Sequence, residues 1–124
     1  MGLKFLLDSV ILIDHFNQVR AASSYLKDVR GLSAISVVTR AEVLTGFSKP
    51  ELREVLQLLE WFPTLPINRP VADLAAALRR LHGWKLPDAF QVALARHHRL
   101  KLATRNLRDF PPVRFEFVIV AYSV

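Results

Sequence analysis

Four carboxylates, far apart in this 124-residue chain, stand where carboxylates can do chemistry. Asp8 ends an apolar run, Lys4-Phe5-Leu6-Leu7. Glu42 follows a second run, Leu32 to Val38. Asp88 comes directly after Pro87, at a predicted helix start. Asp109 follows a third run, Lys101 to Thr104, with Asn106 between. Brought together, four like charges repel and some stay protonated. A bound divalent cation removes that penalty, and carboxylate oxygens completed by waters suit Mg²⁺ or Mn²⁺ rather than zinc. Each acid also has a plainer role open to it. Asp8 can cap a helix, and Glu42 can complete a capping box with Thr39. Asp88 can complement a helix dipole, and Asp109 can begin a turn before Pro111-Pro112.

Other chemistries find less support. The chain has no cysteine, which removes thiol catalysis, disulfides, iron–sulfur clusters and cysteine zinc sites. His97 and His98 are adjacent, about 100° apart on a helix, and cannot chelate from one face. The four glycines form neither a Gly-x-Gly-x-x-Gly nor a Walker loop. Ser9 has no histidine partner placed by the sequence, so triad hydrolysis has no support.

The elements that must position the acids read as alternating strands and helices. Lys4 to Leu7 predicts a buried strand, followed by a helix with Asp8 or Ser9 as its cap. Residues 19–29 predict a helix closed by Gly31. Leu32 to Val38 predicts a second strand, and Thr39 to Gly46 a helix. Pro50 opens a further helix with Leu52, Val55, Leu56 and Leu59 on one face. Phe62 to Ile67 reads as an edge strand because of its prolines. A helix from Pro70 to about Leu81 ends at Gly83, and another runs from Pro87 to about Arg99. Lys101 to Thr104 and Phe115 to Val120 predict the last strands. This alternation argues for an α/β fold, a central parallel sheet of about five strands with helices on both faces. In such a sheet the strand carboxyl ends share one edge, where ligands bind. The four acids should gather there.

Length, absence of repeats and absence of a linker indicate one domain over residues 1–124. With 52% apolar residues the chain can build a core, and no apolar run approaches the ~18 residues of a bilayer span. A cytoplasmic protein without membrane attachment is expected. Seventeen basic residues against eleven acidic give a net charge of +6, which suits a polyanion such as nucleic acid. Nine of the cations lie between Arg79 and the end, against three acids there. Trp61, Phe62 and Trp84 can stack bases, but core or interface is the simpler expectation.

Four segments carry a family resemblance: Phe5-Leu6-Leu7-Asp8-Ser9, Ile35 to Gly46, Leu86-Pro87-Asp88-Ala89-Phe90-Gln91-Val92-Ala93, and Leu102 to Phe110. In this order and spacing the chain resembles PIN-domain ribonucleases, specifically the VapC-type toxins of toxin–antitoxin pairs. The resemblance implies Asp8, Glu42 and Asp88 as the core of an Mg²⁺ or Mn²⁺ site. Its fourth acid falls at the Asn106 or the Asp109 position; Asn106 is an amide, so Asp109 is assigned and Asn106 becomes a neutral helper. Ser9 and Thr104 would orient carboxylates. Arg105 and Arg108, near the last segment, are candidates for RNA phosphates. The implied activity is metal-dependent endoribonuclease, with RNA as substrate, a small antitoxin as partner and a homodimer as assembly. A non-catalytic RNA-binding or regulatory module on the same fold is the alternative, and loss of an acid would mark it. A phosphoacceptor domain needs paired acids after the first strand, which Asp8-Ser9 does not supply.

Overall fold

The structure, a computed structural model, describes residues 2–123. Its apolar runs become five short strands: β1 (Phe5–Leu7), β2 (Ser33–Ser36), β3 (Thr64–Leu65), β4 (Lys101–Thr104) and β5 (Val118–Val120). Between them lie six helices: α1 (Ser9–Phe16), α2 (Arg20–Val29), α3 (Val37–Thr45), α4 (Lys49–Leu59), α5 (Arg69–His82) and α6 (Leu86–His97). Every strand pair is parallel, in the order β3-β2-β1-β4-β5. The expected five-stranded parallel α/β sheet is what forms.

Strand residues alternate between faces. Leu6, Ala34 and Leu102 enter one core with Val71, Ala75 and Val92 from α5 and α6. Leu7, Ile35 and Ala103 enter the other, with Ile11, Leu26, Val43 and Val55 from α1 to α4. Helices therefore cover both faces, as a parallel sheet requires. Among the described residues no helix is long and apolar enough to cross a membrane.

Two local expectations are corrected. The second strand stops at Ser36, not Val38, because the Ser36 hydroxyl accepts the Thr39 N–H at 2.9 Å and starts α3 at Val37. Thr39 is thus inside the helix, and no Thr39–Glu42 capping box exists. The capping box belongs to α4, where the Glu51 carboxylate accepts the Ser48 backbone N–H at 3.0 Å and the Ser48 hydroxyl at 2.6 Å. The last strand is also shorter than Phe115 to Val120. Pro111 takes the Phe115 N–H at 3.1 Å, and Phe115 and Phe117 pack onto the α5–α6 core before pairing begins.

The strand order reverses at β1: β2 and β3 lie to one side, β4 and β5 to the other. The carboxyl end of the β1–β4 border is therefore a topological switch point.

Candidate active site

Asp8 follows β1 at the N-cap position of α1, yet its side chain makes no capping bond. Thr104, the last residue of β4, instead donates its hydroxyl to Asp8 Oδ2 at 2.7 Å, across the switch point. Asp8 is 7% exposed. Burial raises its pKa, against hydrogen bonds from Thr104, the Ser9 backbone and Gln91 and the charge of Arg105. A capping role alone does not account for a buried carboxylate held in this way.

Glu42 lies in the second turn of α3 rather than its first, because the helix begins two residues earlier than expected. Desolvation raises its carboxyl, a hydrogen bond with Ser9 lowers it, and the Asp8 charge raises it further. Asp88 sits in the first turn of α6. Its carboxyl is pushed up to about 6, first by burial and then by the charges of Asp8, Asp109 and Glu42, with Lys85 opposing. Asp88 thus feels all three other acids, so four carboxylates from four segments share one edge of the sheet. Asp109 is exposed in the turn after β4. Asn106 Nδ2 donates to Asp109 Oδ2 at 2.9 Å, and the Asn106 N–H donates to Thr104 Oγ1 at 2.9 Å. Hydrogen bonds therefore link Asp8 to Asp109 through the Thr104 hydroxyl and the backbone N–H and side chain of Asn106.

The PIN domain family matches residues 5–116. The chain belongs to the PIN-domain family. It is similar to Ribonuclease VapC10 of Mycobacterium tuberculosis, 40% identical over 113 residues, which cover 86% of this chain and 85% of the relative. Among solved structures, a toxin–antitoxin complex from Klebsiella pneumoniae contains a chain with a TM-score of 0.88 and 35% identity, covering 98% of this chain and 100% of that one. A DNA-bound VapBC from Salmonella typhimurium shares the fold, with a TM-score of 0.76 at 21% identity over 87% of this chain and 90% of that one.

Among the described residues of this PIN domain, no group of three acidic or histidine side chains is drawn in tightly enough to hold an ion unaided. The donor set still fits a hard cation. It is all oxygen, and after burial the charges of the other acids push the Asp88 carboxyl up, as neighbouring carboxylates without a counter-ion do. Mg²⁺ needs only one or two carboxylates directly and keeps several waters. Asp109 and Glu42 are on the exposed side, where waters have access.

Three residues of the PIN domain escape a reading by sequence. Gln91 is 2% exposed; its Oε1 accepts from Ser36 Oγ and its Nε2 donates to Thr39 Oγ1, both at 2.6 Å. It ties α6, which carries Asp88, to α3, which carries Glu42. Its one sequence signal is a lone amide in an apolar helix, three residues after Asp88. Asp14 and Tyr122 are the others. Arg105 forks onto the buried Asp14, its second guanidinium nitrogen at 2.9 Å, and Tyr122 donates to the same carboxylate at 2.7 Å. Phe62 and Trp84 are core, as expected, and the Arg30 guanidinium lies 4.1 Å over the partly buried Trp61 ring.

Proposed function

We propose that this PIN domain is a metal-dependent endoribonuclease and the toxin of a type II toxin–antitoxin pair. The observation that supports the proposal is that Asp88 feels the charges of Asp8, Asp109 and Glu42 at the edge where Asp8 follows β1 and Thr104 ends β4. Asp8, Glu42, Asp88 and Asp109 would hold Mg²⁺ or Mn²⁺. When bound, such an ion offsets charge on the scissile phosphate and makes a bound water more acidic. Thr104 and the Ser9 backbone hold the Asp8 carboxylate, the Ser9 hydroxyl steadies Glu42, and Asn106 steadies Asp109. Arg105 turns its fork to Asp14 and lends Asp8 only its charge, so the phosphate contact falls to the exposed Arg108.

The partner and assembly follow the same reading. A complex whose toxin-like chain is 35% identical over nearly its whole length supports a small antitoxin as partner. A homodimer and a cytoplasmic site of action complete the proposal. Purified protein with Mg²⁺ should cleave total RNA, and Asp8→Asn should not. Binding of RNA without cleavage by the wild type would instead favour the non-catalytic module.

A further inference from the structure

Among the described residues, two of the surface cavities are large enough to consider. One of about 400 Å³ lies between α1 and α4 and shares no residue with the acid cluster. The other, about 360 Å³, adjoins the cluster between the end of α5, the start of α6 and the turn after β4. Asp88 and Asp109 line it together with the His82–Lys85 segment and Arg108.

The second cavity pairs an aromatic wall with two cations. His82 and Trp84 stack with centroids 4.3 Å apart and planes at 24°. Gly83, at φ 72°, turns the chain between them, a conformation that residues with a side chain rarely adopt. Phe115 meets both rings edge-on at 5.5 and 5.3 Å, and Arg79 holds the Trp84 carbonyl at 2.8 Å. Trp84 is buried while His82 is half-buried, so the stack is braced from behind and His82 is its accessible ring. A braced, partly exposed aromatic plane is a platform for a nucleobase. Lys85 and Arg108 place positive charge beside two acids that would otherwise repel phosphate, and both side chains are exposed. The volume lies at the small end of ligand pockets, room for one nucleotide rather than several.

We propose that this cavity seats the nucleotide next to the scissile phosphate, its base on the His82 end of the His82–Trp84 stack and its phosphate between Lys85 and Arg108. The inference rests on the ribonuclease reading and specifies where the substrate chain lies. Because every base has a stacking face, the subsite sets affinity and register more than base identity.

Trp61→Phe leaves Trp84 as the only tryptophan. In that background, with Asp8→Asn to prevent cleavage and Mg²⁺ present, a short single-stranded RNA should quench the fluorescence of Trp84 saturably. His82→Ala should weaken this binding about tenfold, within the range of a lost base stack. In the cleaving protein, His82→Ala and Arg108→Ala should raise KM about tenfold with kcat nearly unchanged, and His82→Phe should restore the wild-type KM. Normal cleavage with no quenching, or an unchanged KM in both alanine variants, overturns the subsite. An equal fall in kcat and Tm for His82→Ala and His82→Phe alike would mark the stack as plain core and also overturns it. Quenching without any cleavage by the wild type supports the nucleotide site and sinks the ribonuclease reading instead.

Discussion

Two carboxylates of this PIN domain are perturbed in opposite directions, and the signs make a test. Asp88 titrates near 3.8 when unfolded and near 6 when folded, so between these values the folded state holds more protons. The stability of the metal-free protein therefore falls as pH rises through that window. Asp14 is held below its ordinary value, chiefly by the Arg105 hydrogen bond. Its contribution is present above about pH 4 and is lost as pH falls through its lower folded value. Thermal melting in chelator should give a higher Tm at pH 5 than at pH 7.5, and Asp88→Asn should flatten that slope. A slope unchanged in Asp88→Asn would remove the crowding argument. Asp14→Asn should cost about 2 kcal/mol in urea unfolding, the usual scale for a hydrogen bond to a charged group. The acids of the cluster were legible in the sequence because Asp8, Glu42 and Asp109 follow apolar runs and Asp88 opens a helix behind Pro87. Asp14 was not, since it is mid-helix and its partner Arg105 lies 91 residues away. Arg105 itself looked like a phosphate ligand because the chain shows its charge and hides its partner.

Helix starts decide where the acids point, and here the short polar residues competed. Both Ser36 and Thr39 can cap a helix; Ser36 does so, and Thr39 turns its hydroxyl to Gln91. The sequence could not choose between them, because the choice depends on Gln91 arriving from α6, 55 residues from Ser36. Ser36→Ala should cost about 1–2 kcal/mol through the lost cap, with a further loss from the unpaired Gln91 amide. Urea unfolding measures it, and a neutral outcome would place the start of α3 elsewhere. Glu42→Gln, by contrast, should leave Tm in chelator unchanged or raised. Glu42 caps nothing, and its charge adds to the repulsion on Asp88. A fall of several degrees would restore a structural role to Glu42. The leucine stripe of α4 was legible only in part: Val55 and Leu59 are buried as the spacing predicts, but Leu58 takes a buried place while Leu56 stays 40% exposed.

Across the whole molecule, the alternation of apolar runs and helices was enough to predict a parallel sheet, because parallel strands need crossovers and two covered faces. The order β3-β2-β1-β4-β5 was not legible, since strands of two to four residues carry little pairing information. That order is what puts Thr104 beside Asp8. A cation bound there should stabilise the folded state by mass action, so Tm should rise with Mg²⁺ in the wild type and much less in Asp8→Asn. An equal rise in both would place the ion elsewhere. Asp8, Glu42, Asp88 and Asp109 are proposed to form a single metal-dependent catalytic centre. Its most direct test is the rate of RNA cleavage as a function of Mg²⁺ concentration for the wild type and for Asp8→Asn, Glu42→Gln, Asp88→Asn and Asp109→Asn. Cleavage should be absent in chelator, should rise saturably with Mg²⁺ in the wild type, and should fall about a hundredfold or more in each variant. Full cleavage in chelator, or wild-type Mg²⁺ dependence in any of the four variants, would contradict it.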